Sequence, residues 1–296
     1  MTLATGRGVT AGALWAGLAP VVGSRSDAKW ILCHVTGMSA GQLRTSLEDE
    51  LPSDVVAEAR RLAARCGAGE PVQYVIGHWA FRSLELGLDP RVLIPRPETE
   101  VVAGAALEVV CGLDSTSRRP VVADLGTGSG AIALSLLLES PWPLEVWATD
   151  ISSDALAVAE RNLQALGNRA TPGATLQLSA GSWYTALPVR LRGQLDLVVA
   201  NPPYVARQEW ETLDARVREH EPYTALVPGE RGTEAIEAIV AGAPQWLVGG
   251  GALVVEIGAD QGAVAAAAAS SAGMAEVAVR PDLAGRNRVL VARHQP

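Results

Sequence analysis

The spacing of apolar residues changes near residue 97. Before that point apolar positions recur every three or four residues, as in DAKWILCHV (27–35) and SDVVAEARRLAARC (53–66), and this spacing predicts helices. Asp27 is the expected N-cap of the first of these two helices, and Pro52 directly precedes the second. After residue 97 short apolar runs alternate with amphipathic stretches, which indicates strands and helices taken in turn.

This pattern divides the chain into three regions. Residues 1–70 are predicted to form a helical domain, and residues 71–96, which hold strand-like stretches such as RSLELGL, a junction. Residues 97–296 begin with Pro97, a residue favoured at the first position of a helix. The uncharged stretch 8–24 contains a proline and no clear cleavage site, so we expect neither a secretory signal nor a membrane span there.

The last region should form one sheet. Its strand-like segments are 121–126, 145–150, 175–180, 195–200, 252–257, 275–280 and 288–293. Helical patterns fill most of the gaps, which predicts a mainly parallel, doubly wound sheet with helices on both faces. The last two segments are joined by PDLAGRN, which has no helical pattern, and should pair antiparallel at one edge. The expected fold class is α/β, with a seven-stranded Rossmann-like sheet.

Composition narrows the classes of function. The net charge is −8 and no run of lysine or arginine occurs, which argues against a free nucleic-acid substrate. The three cysteines, Cys33, Cys66 and Cys111, form no CxxC pair, and the four histidines are scattered. Neither a disulfide framework nor a metal site is therefore predicted, and a reduced, cytoplasmic setting is expected.

Four successive strands of the predicted sheet end in unusual residues. DLGTGSG (124–130) closes the first, Asp150 the second, AGSW (180–183) the third and NPPY (201–204) the fourth. Ligands of such sheets bind beyond the carboxyl ends of the strands, so these four endings should face one crevice.

The glycine-rich turn and Asp150 together predict a ligand that contains a ribose. Glycines allow a tight turn close to the ligand, and the next helix offers free N–H groups. Asp150 follows Gly130 at the spacing of an acid that binds ribose hydroxyls. Because Gly126, Gly128 and Ala131 also satisfy G-x-G-x-x-A, NAD(P) remains an alternative ligand at this point.

The NPPY turn indicates a different chemistry from hydride transfer. Pro202 and Pro203 stiffen the turn, and Asn201 before them is pushed to an extended conformation. The Asn201 side-chain oxygen and a proline carbonyl can accept both hydrogens of a planar –NH₂ group. The nitrogen lone pair then faces an electrophile, and Tyr204 can stack on the planar group.

These motifs resemble those of a known family. DLGTGSGAIALSL, ATDIS and NPPY resemble class I S-adenosylmethionine-dependent methyltransferases that modify planar nitrogens. Five further segments are similar to the HemK/PrmC family of release factor N5-glutamine methyltransferases. They are DAKWILCHVTGMS, GEPVQYVIGHWAF, VLIPRPETE, EPYTALVPGERG and EIGADQG. The resemblance covers nearly the whole chain, and IPRPETE combined with NPPY is its most specific part.

The resemblance implies methyl transfer from S-adenosylmethionine, with S-adenosylhomocysteine as product, to the glutamine amide of the GGQ motif in peptide chain release factors. It assigns the cofactor to Gly126, Thr127, Gly128, Ser129, Gly130, Asp150, Trp183 and Asn201. It assigns the glutamine to Asn201, Pro202, Pro203 and Tyr204, with Phe81, Arg96, Pro97 and Glu98 lining the substrate site. The N-terminal helices would help to dock the release factor.

One position departs from the family, and several other interpretations remain open. The family often has an acid before the tryptophan where this chain has Ser182. Trp183 can instead be a core residue, and Arg96 and Glu98 can serve the helix end alone. The alternative functions are a nucleic-acid exocyclic-amine methyltransferase, an NAD(P)-dependent reductase and a binding module without turnover.

Overall fold

The structure is a computed structural model that describes residues 8–113 and 118–295. It divides into two compact units: one comprises Met1–His78 and Asp214–His220, the other Trp79–Leu213 and Glu221–Pro296. In the described residues the α-helices are α1 (Ala11–Val22), α2 (Arg25–Thr36), α3 (Ala40–Thr45), α4 (Ser53–Gly67), α5 (Val72–Ile76), α6 (Pro97–Cys111), α7 (Ala131–Glu139), α8 (Ser153–Leu166), α9 (Ala215–His220), α10 (Glu234–Trp246) and α11 (Gly262–Ser271). The strands there are β1 (His78–Phe81), β2 (Leu84–Gly87), β3 (Val121–Leu125), β4 (Glu145–Asp150), β5 (Thr175–Ala180), β6 (Leu195–Ala200), β7 (Leu247–Glu256), β8 (Met274–Pro281) and β9 (Asn287–His294).

The first unit is helical, as its apolar spacing predicts. In α1, Leu14, Leu18 and Val22 recur every fourth residue and are all buried, so the uncharged stretch supplies one apolar stripe to the core of this unit. α4 begins directly after Pro52. No α-helix in the described part of the chain is both long and apolar enough to cross a membrane.

The predicted N-cap of α2 is wrong. Ser24, with an extended backbone, accepts a hydrogen bond from the main-chain N–H of Asp27 at 3.1 Å, so the helix begins at Arg25. Both residues are of the capping type, and the earlier one starts the helix. Asp27 lies instead in the first turn, where its negative charge favours the helix N-terminus.

The second unit contains the predicted seven-stranded sheet. The strand order is β5-β4-β3-β6-β7-β9-β8, and β3 to β7 run parallel. β9 is antiparallel to both β7 and β8, which confirms the antiparallel pairing expected of the last two strands. The central β6 is buried along its whole length, since helices cover both of its faces.

Helices pack on both sides of this sheet. α6 contacts β6, β7 and β9, while α7 and α8 contact β4 and β5. α10 and α11 contribute Ile236, Ile239 and Ala265 to a core that includes Val198 of β6 and Val255 of β7. The two layers leave the carboxyl ends of the parallel strands free for loops.

β1 and β2 form a separate two-stranded sheet within the predicted junction. Asn162 of α8 holds this segment: its side-chain oxygen accepts from the N–H of Gly87 at 2.8 Å. Its Nδ2 donates to the carbonyls of Gly87 at 3.1 Å and Ser129 at 2.9 Å. One buried amide therefore joins the β2 end to the turn that follows β3.

Candidate active site

A cleft of about 450 Å³ opens at the carboxyl ends of the parallel strands. The turns after β3, β4, β5 and β6 contribute to its wall, as the four strand endings predict. The predicted site residues that line it are Gly126, Thr127, Gly128, Ser129, Asp150, Trp183, Asn201 and Pro203. Residues 91–95 and 222–228 supply much of the remaining wall.

The turn after β3 is held by main-chain hydrogen bonds. The N–H groups of Gly126 and Thr127 both donate to the carbonyl of Thr149, each at 2.8 Å. Gly128 has φ +56, and a Cβ there would meet no atom within 4 Å, so the main chain is open to a ligand. Gly130 is the residue before α7 and packs against Leu134 instead of lining the cleft.

Asp124 lies beneath this turn and fixes its shape. Its Oδ2 accepts from the Thr127 hydroxyl at 2.7 Å and from the N–H of Ala133 at 3.1 Å. Burial raises the pKa of this carboxyl to about 7. Asp124 is a structural support that the sequence analysis did not single out, although it starts the quoted DLGTGSG.

Asp150 ends β4 and lines the cleft. Its two oxygens accept from the main-chain N–H groups of Gly128 and Ser152, each at 2.9 Å. Burial raises the pKa of Asp150, and the main-chain donors act in the opposite direction. Each carboxylate oxygen has more than one lone pair, so acceptor capacity remains for hydroxyls of a ligand.

Trp183 forms the wall that faces the glycine turn. It has φ +45, an unusual conformation for a tryptophan, and a Cβ at Gly126 would lie 3.2 Å from its ring. The ring is packed at the border of the core, and Ser182 beside it also lines the cleft. A flat aromatic side wall of this kind suits a planar base.

Asn201 follows β6 directly and lies within a chain of side-chain hydrogen bonds. Its Nδ2 donates to the Thr99 hydroxyl at 3.0 Å. That hydroxyl donates to Glu256 at 2.7 Å, and the Tyr204 hydroxyl donates to the other oxygen of Glu256 at 3.2 Å. Thr99 comes from α6, and Glu256 is the last residue of β7. The sequence analysis named neither Thr99 nor Glu256 as a site residue.

Glu256 is a fully buried carboxyl group. Burial raises its pKa to about 7, against the opposing effect of the hydrogen bonds from Thr99 and Tyr204. Burial also raises the pKa of Tyr204, so this phenol is a hydrogen-bond donor at neutral pH. One sequence signal was available, because Glu256 is a single acid at the end of the apolar run ALVVE.

The remaining predicted residues are not among the described residues that line the cleft. Phe81 is a core residue with 1% of its surface exposed. Arg96 forms an ion pair with buried Glu221 at 2.6 Å, Pro97 is the first residue of α6, and Glu98 pairs with Arg286 at 2.6 Å. Pro202 is buried, and the Tyr204 hydroxyl points to Glu256.

The Arg96–Glu221 pair connects the two segments that complete the cleft wall. Glu221 accepts from Arg96 Nη2 at 2.6 Å and from the N–H of Ile94 at 3.3 Å. Residues 91–95 therefore stay next to residues 222–228. Arg96 shapes the wall through this contact with Glu221.

Two family models match the chain: the PrmC N-terminal domain over residues 19–77 and the methyltransferase small domain over residues 103–218. The release factor glutamine methyltransferase of Burkholderia pseudomallei is 43% identical over 264 residues, covering 88% of this chain and 89% of that protein. The protein of the same name from Bordetella pertussis is 43% identical over 265 residues, covering 90% and 93%. The chain belongs to the release factor glutamine methyltransferase family.

Membership of the release factor glutamine methyltransferase family confirms the methyltransferase assignment and the class I fold. A solved methyltransferase from Pyrococcus furiosus has the same fold, with a TM-score of 0.50 and 16% identity over 73% of this chain and 92% of that one. The antiparallel β9 between β7 and β8 also distinguishes this sheet from the 3-2-1-4-5-6 order of dinucleotide-binding folds.

Proposed function

We propose that this chain transfers a methyl group from S-adenosylmethionine to the side-chain amide nitrogen of the glutamine in the GGQ motif of peptide chain release factors. Family membership supports the reaction class and the substrate. The observation that carries the proposal is the orientation of Asn201. Its Nδ2 is bonded to Thr99, so its Oδ1 is the atom left to accept a hydrogen bond in the cleft.

The cofactor fits the half of the cleft around Asp150. The proposed cofactor residues of the glycine turn are Gly126, Thr127, Gly128, Ser129 and Gly130. The turn is open to a ligand at Gly128, and its position next to the start of α7 suits a polar group. In this proposal Asp150 accepts from the ribose hydroxyls, and Trp183 packs on the adenine. When bound, S-adenosylmethionine supplies an electrophilic methyl group on a sulfonium.

The glutamine amide is held by the NPPY turn. Asn201 Oδ1 accepts one N–H of the substrate amide, and a carbonyl of the Pro202–Pro203 pair accepts the other. An amide nitrogen is a poor nucleophile because its lone pair is delocalised, so fixed position and ready acceptors provide most of the help. The Asn201 and proline acceptors would stabilise the positive charge that develops on the amide N–H groups as the nitrogen takes the methyl group from the sulfonium, and one proton would leave to water.

The partner in this proposal is a folded release factor, and the helical unit containing residues 8–78 helps to dock it. The net charge of −8 supports a protein substrate over free nucleic acid. A cytoplasmic location follows from this partner and remains part of the proposal. Phe81, Arg96, Pro97 and Glu98 then support the substrate site from behind its wall.

Mass spectrometry tests this function directly. A release factor is incubated with the enzyme and S-adenosylmethionine, and the tryptic peptide that carries GGQ is examined for one added methyl group on glutamine. A release factor with the glutamine of GGQ changed to alanine is the matched control and should gain no methyl group. Transfer of a labelled methyl group to RNA or DNA, with none to the release factor, would contradict the proposal.

A further inference from the structure

We propose that Thr99 and Glu256 are positioning residues that determine which end of the Asn201 amide faces the substrate. This inference rests on the proposed function and extends it to the origin of the acceptor in the cleft. It depends on the hydrogen bonds that join Asn201, Thr99, Glu256 and Tyr204.

The direction of these hydrogen bonds follows from the chemistry of each group. An ionised carboxylate only accepts, so Glu256 requires both Thr99 and Tyr204 to donate to it. The Thr99 hydroxyl has a single hydrogen, which is then committed to Glu256. Towards Asn201 it can only accept, and Asn201 must present its –NH₂ to Thr99 and its oxygen to the cleft.

A proton on Glu256 would remove this requirement and allow the reverse order. The carboxylic acid could donate to the Thr99 oxygen, and Thr99 could then donate to the Asn201 oxygen. The Asn201 –NH₂ would face the cleft, where it would meet the –NH₂ of the substrate glutamine. Two donors cannot pair, so the site would lose its acceptor for the amide.

The surroundings of Glu256 set the pH at which this change occurs. The charged or titratable groups that act on it are Tyr204 from the NPPY turn, Glu98 from α6 and Arg288 from β9. Arg288 favours the ionised form, while Glu98 and burial oppose it. The resulting pKa of about 7 places the protonation of Glu256 within the pH range of ordinary assays.

The fold itself brings Asn201, Thr99 and Glu256 next to one another. Ala200 of β6 lies opposite Val255 of β7, so Asn201 and Glu256 follow at the ends of neighbouring parallel strands. Thr99 is in the first turn of α6, is 3% exposed and lines the cleft. The Thr99 hydroxyl of α6 therefore bridges the Asn201 amide, which follows β6, and the Glu256 carboxylate at the end of β7.

Steady-state kinetics with a release factor between pH 5.5 and 8.5 tests the inference. In the wild type we expect kcat to rise by about tenfold with a midpoint near 7. Thr99→Val should lower kcat at pH 8 by at least about tenfold, change KM much less and abolish the pH step. Glu256→Gln should likewise lose the step, while Thr99→Ser, which keeps the hydroxyl, should retain both the step and most of the rate.

Ser135→Ala is the matched control, because it also removes a buried hydroxyl. Ser135 donates only to the carbonyl of Ala131 within its own helix, at 2.8 Å. This variant should keep the wild-type rate and pH step. Equal affinity for S-adenosylhomocysteine in all variants would show that each one is folded.

A second measurement does not depend on turnover. In NMR spectra the side-chain N–H signals of Asn201, assigned by their loss in Asn201→Ala, should shift with a midpoint near pH 7 in the wild type and not in Thr99→Val. A wild type that methylates GGQ while Thr99→Val keeps the full rate and pH step would overturn the inference alone. A wild type that shows the NMR titration but never methylates a release factor would overturn the proposed function alone.

Discussion

The two halves of the cleft are built from different kinds of hydrogen bond. Around Asp150, the contacts run to main-chain N–H groups of Gly128 and Ser152. Around Asn201, they run between side chains, through Thr99 to Glu256. Main-chain contacts persist when a neighbouring side chain is changed, whereas a relay of side chains fails when any member is lost. We call the part of the cleft around Asp150 the cofactor half and the part around Asn201 the amide half, after the ligands proposed for them. The cofactor half should tolerate more substitutions than the amide half.

Substitution of Asn201 should give the largest effect and separate the two halves. Asn201→Ala removes the proposed side-chain acceptor of the substrate amide, and we expect methyl transfer to fall by about 10²–10³-fold. The affinity for S-adenosylmethionine should stay nearly unchanged, because the glycine turn and Asp150 are left in place. Transfer assays together with calorimetry measure both quantities. A variant with full activity would refute the amide-binding role.

The amide half should also impose a pH-dependent cost on stability. The pKa of Glu256 is raised to about 7 in the folded protein, so the native state holds this proton more tightly than the unfolded chain does. The stabilisation of the folded state by this proton is complete below the unfolded pKa, near 4.5, and is lost as the pH rises through about 7. The loss amounts to about 3 kcal/mol at most.

Chemical denaturation at pH 5 and pH 8 checks this cost. The stability of Glu256→Gln relative to the wild type should increase by about 2.5 kcal/mol between the two pH values. Asp124, whose pKa is also about 7, is present in both proteins and cancels in the comparison. A difference that stays constant between pH 5 and pH 8 would contradict the burial of an ionisable Glu256.

The two halves of the cleft also differ in how much of each could be predicted from the sequence. The glycine turn and Asp150 are close in the chain, so residue type and spacing were enough to predict that they share one crevice. Thr99 lies 102 positions from Asn201 and 157 from Glu256, and no local pattern connects residues so far apart. Arg96 and Glu98 were expected at the substrate, but their ion-pair partners, Glu221 and Arg286, come from later segments that only folding brings close.

In the half of the cleft around Asp150, removal of the Asp150 side chain should have a strong effect on cofactor binding. If Asp150 binds the ribose as proposed, Asp150→Ala loses charge-assisted hydrogen bonds, and we expect the Kd for S-adenosylmethionine to rise by about tenfold to a hundredfold. At saturating cofactor the rate should recover most of its wild-type value. Calorimetry and cofactor-dependence of the rate measure the two effects. An unchanged Kd would exclude Asp150 from the ribose.

Ser182 offers the smallest effect and tests whether the cofactor half can be improved. The sequence analysis expected an acid before the tryptophan, and at that position Ser182 lines the cleft beside Trp183. In Ser182→Asp a carboxylate could accept from the adenine amino group, and partial exposure should limit the gain to about threefold to tenfold in Kd. Ser182→Ala should bind like the wild type. If Ser182→Asp binds no better while Asp150→Ala binds more weakly, the main chain already satisfies the adenine, and this half of the cleft depends on main-chain contacts even there.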